Sequence, residues 1–226
     1  FPALEETQSY GRFPDGTDNW QILPNVTKGA ANSDTPPAEW VLLHYWHFND
    51  QKEPTLPIES DYSINGLTAA ISYPGTGNGY MDYRTVRPQD PASNLNLRMG
   101  QEPDQGAVLR VRNPAEGRVL IVDAPSTGFE DLVVMFAITR SSDLAGEQQF
   151  FYSADGGNNW SSVGGIFVAR VVPDWDLMTI DLSGVQEVNN NPNLKFKIEY
   201  SGDAIGGDSG NNRYDNFSID GKPVRK

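Results

Sequence analysis

The chain of 226 residues contains no cysteine, which excludes a disulfide-stapled scaffold, a cysteine-ligated zinc centre and a thiol nucleophile. It does not fix the compartment. Histidine is nearly absent as well: only His44 and His47 occur. Residues three apart on a strand face opposite sides, so this pair cannot close on one metal ion. No apolar run approaches the roughly 20 residues of a membrane-spanning helix. No segment holds a 3.6-residue apolar period over three turns, which argues against helices. Positive charge is scarce: 17 Lys and Arg stand against 30 Asp and Glu, giving a formal net charge of −13. That balance disfavours nonspecific nucleic-acid binding and docking on anionic lipid.

Turn-forming residues are abundant. Gly, Pro and Asn occupy 56 positions, a quarter of the chain, and cut it into short elements. Apolar residues at 38% and aromatics at 11% supply one sizeable core. Strands are expected at 41–48, 67–73, 95–99, 107–112, 118–123, 132–140, 148–153, 166–172, 177–182, 194–200 and 213–219. In Leu194-Lys195-Phe196-Lys197-Ile198-Glu199-Tyr200 the apolar side chains take even positions and the charges odd ones, the mark of a strand with one wet face. Leu109-Arg110-Val111-Arg112 reads the same way, whereas 132–138 is apolar on both faces and should be a central strand. This pattern predicts an all-β, two-sheet antiparallel jelly-roll β-sandwich over residues 39–226.

Residues 1–38 differ from this body. They carry Gly11-Arg12-Phe13-Pro14-Asp15-Gly16, then Trp20, and a linker-like Thr35-Pro36-Pro37. The segment resembles the last strands of lamin-tail-like domains, with Lys28 standing where a Pro is usual. It is expected to be an N-terminal extension or the end of an upstream domain, the whole being an excised piece of a larger multidomain chain. In the body, the opening Trp46-His47-Phe48-Asn49-Asp50, the Leu109–Pro114 phrase and the closing Arg213-Tyr214-Asp215-Asn216-Phe217 resemble carbohydrate-binding-like jelly-roll modules. Such modules occur in secreted and surface proteins of the Bacteroidetes group. The resemblance implies a secreted or cell-surface location and a structural calcium ion shared by Asn49 and Asp215, with Asp50, Asp208 and backbone carbonyls completing its oxygen shell.

Ser153-Ala154-Asp155-Gly156-Gly157-Asn158-Asn159-Trp160 matches the Asp-box pattern S-x-D-x-G-x-x-W. A single copy predicts a stable hairpin turn rather than a propeller. For ligand contact, exposed flat rings matter, because sugars stack on them through their C–H faces. The loop at 73–84 offers Tyr80 and Tyr83 among glycines, and Trp175 sits between two acids at a turn. These three are the candidate ligand residues. The Gly/Asp-rich loop at 202–212 has neither the Lys nor the following helix of a phosphate loop.

No catalytic residue is expected. A glycosidase needs two suitably spaced carboxylates, and only Asp174 and Asp176 come near. A lyase reading would have to bring His44, Tyr83 and Arg84 together. The expected function is noncatalytic: binding of glycan or anchoring at a cell surface. The alternatives are a structural or protein-interaction module of a surface or secretion assembly and, less favoured, a polysaccharide-degrading enzyme.

Overall fold

The computed structural model describes residues 2–26, 31–32, 38–49, 56–88, 90–102 and 106–225. Thr35-Pro36-Pro37 and Asp50 lie outside the described residues. The chain divides into two compact units, Phe1–Glu39 and Trp40–Val224. In the first, β1 (Ser9–Arg12) and β2 (Trp20–Leu23) form an antiparallel hairpin with Ser9 opposite Leu23 and Arg12 opposite Trp20. Its turn is the one Pro-Asp-Gly predicts: Thr17 donates from its amide and its hydroxyl to the Pro14 carbonyl, and Gly16 takes φ +81°. Tyr10 stacks on Trp20 at 5.5 Å, with the Arg12 guanidinium over the indole.

The second unit begins with β3 (Val41–Trp46), β4 (Ile58–Glu59), β5 (Tyr62–Ser63), β6 (Ala70–Ser72) and β7 (Met81–Thr85). Then come β8 (Ala107–Arg112), β9 (Val119–Asp123), β10 (Phe129–Arg140) and β11 (Glu147–Ser153). The last four are β12 (Ser161–Phe167), β13 (Asp176–Asp181), β14 (Lys195–Ser201) and β15 (Asn211–Pro223). All pair antiparallel. One sheet runs β13-β10-β15-β3-β5, with β8 also on β15 and β7 on β8; the other runs β12-β11-β14-β9-β6-β4. This is the two-sheet jelly-roll sandwich that the residue pattern predicts. Among the described residues no helix is long and apolar enough to cross a membrane.

Alternation builds the core. Phe196, Ile198 and Tyr200 of β14 point inward to meet Phe136, Tyr214 and Phe217 from the opposite sheet. Phe136 lies flat on Phe217 at 4.9 Å and tilts onto Tyr214 at 5.8 Å. The expectation that 132–138 is apolar on both faces has a physical reason. Inward residues Val134, Phe136 and Ile138 join the main core, while Ala137 faces outward into a second cluster with Ala92, Val108 and Trp175. Val86 and Leu95 pack against that cluster.

Three expected elements are corrected. Residues 95–99 are not a strand: Asn96 and Met99 take φ of +57° and +55°, which breaks extended structure. The Asn96 amide instead donates to the Asn216 carbonyl at 2.6 Å and to Ser218 Oγ at 3.0 Å. Residues 81–85, expected within a loop, are strand β7, because Asp82 and Arg84 alternate with Met81 and Tyr83 against β8. The strand placed at 166–172 lies earlier, at Ser161–Phe167, where its two glycines hid it and where its register against β11 shifts.

The Asp-box turn joins β11 to β12. Asp155 Oδ1 accepts the amides of Asn158 and Asn159 at 3.0 and 2.9 Å, and the Ser153 hydroxyl donates to the same oxygen at 2.7 Å. These donors, the Asn159 amide first, hold the Asp155 carboxyl down at about 2. The motif is thus a hairpin clasp on the sandwich rim.

Candidate ligand-binding site

The structure separates the three aromatic residues that sequence reasoning grouped. Trp175 is only 8% exposed, with its indole N–H donating to the Pro91 carbonyl at 3.2 Å. It fills the space between Ala92, Val108 and Ala137, so it cannot serve as a stacking platform. The correction has a simple cause: a ring next to outward-facing small residues is worth more buried than exposed. Tyr83 points inward from β7 and packs half-buried against the main core. Tyr80 alone keeps its place, 48% exposed at the head of β7.

Backbone pairing places Tyr80 in an ordered array. The Arg112 amide donates to the Tyr80 carbonyl at 2.9 Å, and Arg112 pairs with Asn211 on β15. One step along, Asp82 lies opposite Arg110, which pairs with Arg213. The next row brings Arg84 opposite Val108. The outer face of β7, β8 and β15 therefore carries three rows: Tyr80–Arg112–Asn211, Asp82–Arg110–Arg213 and Arg84–Val108. The Arg112 guanidinium lies under the Tyr80 ring at 5.3 Å from its centroid.

Electrostatics divide these arginines into two kinds. Arg110 clasps Asp82 through two N–H groups, one at 2.7 Å, and this hydrogen-bonded partner lifts the guanidinium pKa above its ordinary value. Asp90 holds both Arg84, at 3.0 Å, and Arg213. Burial pulls the Arg213 pKa down, while Asp90 pulls it back up. Arg112 is different. Its only described ring, ionic or hydrogen-bond contact from the side chain is the Tyr80 ring, while its buried Nε, like that of Arg84, has no hydrogen-bond partner.

The loop before Tyr80 is rigid, not open as its glycines suggest. A Cβ on Gly79 would overlap the Pro114 carbonyl oxygen, and one on Gly75, at φ +136°, would overlap the Gly117 carbonyl oxygen. Arg118 ties the loop further by donating to the carbonyls of Tyr73 at 3.1 Å and Gly77 at 2.8 Å. Glycine at these positions permits close approach of two backbones and so aims Tyr80 outward. Gly79→Ala should therefore lower stability by about 1–3 kcal/mol, read as a drop in the urea midpoint. An unchanged midpoint would mean that the loop yields freely.

The remaining candidates are structural. His44 is buried: its Nε2–H donates to the Pro125 carbonyl at 2.9 Å and its Nδ1 meets Ser63 Oγ at 2.8 Å. Burial lowers its pKa. It shares no contact with Tyr83 or Arg84, and Arg84 is held by Asp90, so the lyase constellation is not assembled. His47 pairs with Asp61 at 3.3 Å. Asp176 is bound by Arg170 at 2.6 Å, which leaves the Asp174–Asp176 pair without the free carboxylates a glycosidase needs.

The expected calcium ligands Asn49 and Asp215 each have protein partners. Asn49 Oδ1 accepts the Ala107 amide at 3.3 Å and abuts Gly106, while its Nδ2 donates to Gln101 at 2.8 Å. Asp215 is buried, and its two oxygens accept the amides of Ser93 and Asn216, both at 2.9 Å. Asp208 lies on an exposed loop. Asn49 and Asp215 thus face different partners. Asp50, the further expected ligand, lies outside the described residues, among which no three His, Asp or Glu side chains group together.

Sequence reasoning missed Arg112 as a site residue. Its outward direction was legible from the Leu109–Arg112 alternation, but its meeting with Tyr80 depends on a pairing register 32 positions long. It also missed the opposite sheet's outer face, where the Lys197 ammonium lies 4.7 Å from the Phe151 ring centroid and 4.6 Å from that of Trp160.

No family model matches the chain, and no curated protein matches it. Solved structures do resemble it in fold. TmCBM61, solved with β-1,4-galactotriose, is 13% identical, covering 69% of this chain and 88% of its own at a TM-score of 0.41. The CBM22-2 xylan-binding domain from Paenibacillus barcinonensis is 9% identical, with 80% and 98% covered and a TM-score of 0.45. A cleaved-adhesin domain of Lys-gingipain from Porphyromonas gingivalis gives 9%, 80%, 97% and 0.45 in the same order. Identities and scores this low leave function to be read from the residues themselves.

Proposed function

We propose that the Trp40–Val224 sandwich is a noncatalytic glycan-binding module of a secreted or cell-surface protein, working within a larger multidomain chain. The observation that carries this reading is Tyr80: a half-exposed ring, held by a rigid loop, with one face backed by a guanidinium and the other open. A sugar ring presents apolar C–H groups to such a face and hydroxyls to polar groups beside it. Asn211 and the arginine rows supply those polar neighbours. The interior offers nothing comparable, since its tyrosines and histidine are all hydrogen-bonded or packed. Xylan- and galactotriose-binding domains of similar fold are consistent with this reading.

The test is a glycan array probed with the wild-type chain and with Tyr80→Ala. Wild type should bind a restricted set of glycans, and the variant should lose them by on the order of tenfold or more. Its stability should change by no more than about 0.5 kcal/mol, because the side chain is half exposed and belongs to neither hydrophobic cluster. If no glycan is retained, or if the variant binds as wild type does, the reading is wrong. A protein-interaction module would give the first of these outcomes.

A further inference from the structure

We infer that the Tyr80–Arg112 site selects an anionic sugar, namely one that bears a carboxylate, as a uronic acid does. The inference rests on the glycan reading above and adds the ligand's charge.

The rows of β7, β8 and β15 bring four guanidiniums together: Arg84, Arg110, Arg112 and Arg213. Among the described residues two carboxylates pair with them. Asp82 is taken up by Arg110, and Asp90 is shared by Arg84 and Arg213. Within this set of paired groups the guanidiniums outnumber the carboxylates by two, on a chain whose net charge is −13. An acidic protein has no general reason to concentrate unneutralised arginine.

The excess is placed where it can act. Arg84, Arg110 and Arg213 are locked by their carboxylates, so they set the local potential but offer few free donors. Arg112 has no carboxylate partner and no described hydrogen bond from its guanidinium, and it lies against the exposed ring. Two needs are thus unmet side by side: a flat apolar surface open to solvent and a planar fork of N–H donors. A guanidinium fork matches a carboxylate in bidentate geometry. A carboxylate-bearing sugar satisfies both groups at once, its ring on Tyr80 and its acid on Arg112. A neutral sugar would leave the Arg112 charge unanswered.

The experiment is calorimetric titration of the whole chain with three oligosaccharides of matched length: a polygalacturonate, a neutral galactan and a sulfated glycan. Wild type should bind the polygalacturonate most tightly. Arg112→Gln should weaken that binding on the order of tenfold or more, and Arg112→Lys, which keeps the charge but not the fork, should not restore it. Both variants should keep the wild-type thermal midpoint and near-UV spectrum, since Arg112 closes no ion pair. Equal binding of the neutral galactan, unaffected by Arg112→Gln, would overturn the inference and leave the glycan reading standing. Preference for the sulfated chain would also overturn it, because a tetrahedral anion would then be the ligand. Failure of all three to bind would overturn the inference, and the glycan array would then decide the glycan reading.

Discussion

Asp215→Asn is expected to become more stable relative to wild type as pH rises from about 4 to about 8. Burial on β15 pushes the Asp215 carboxyl up to about 8, against the pull of the Ser93 and Asn216 amides. In the unfolded chain it titrates near its ordinary value of 3.8. Between these values the native state holds a proton that the unfolded state has released. Stability from this group is therefore fully present below pH 4 and lost as pH climbs through about 8. The limiting slope is about 1.4 kcal/mol per pH unit. Other groups contribute their own slopes, so the quantity to measure is the difference in unfolding free energy between wild type and variant across that range. A flat difference would refute the assignment. The same titration with millimolar calcium tests the ion expectation independently. Calcium should leave the difference unchanged, whereas flattening of the wild-type slope by calcium would make Asp215 an ion ligand after all.

The second large effect is expected at Phe136. Its ring lies parallel to Phe217, tilts onto Tyr214 and Phe167, and is fully buried between the two sheets. Phe136→Ala removes the ring and leaves a cavity that strands on either side cannot close without breaking pairing. The loss should be about 3–5 kcal/mol, a large share of the total stability of a single domain. Urea unfolding should show a lower midpoint at unchanged slope. A loss under about 1 kcal/mol would mean that the sheets slide together to fill the gap. Tyr80→Ala provides the contrast, since it should abolish binding and leave the midpoint nearly untouched.

The legible part of the fold was whatever period-two alternation controls. Leu194–Tyr200 and Leu109–Arg112 disclosed strands and their wet faces from residue order alone. The Asp-box residues disclosed their own turn, because the side-chain hydrogen bonds of Ser153 and Asp155 span four positions or fewer. What stayed hidden depended on long-range register. Nothing local tells Trp175 that Ala92 and Val108 lie beside it, so a tryptophan between two aspartates read as exposed. Nothing local tells Arg112 that Tyr80 lies opposite. Glycines misled for a related reason: at 75 and 79 they signify close approach of distant backbone, which a sequence cannot distinguish from looseness. Asn49 and Asp215 were carried by resemblance, and the structure shows each already engaged by backbone amides.

Strand β15 pairs with β10 on one side and with both β8 and β3 on the other. It also contributes Tyr214, Phe217 and Ile219 to the interior. A nascent chain that has not yet emerged past residue 211 thus has a sheet split in two halves with no strand between them. The sandwich can close only once β15 is present to join them.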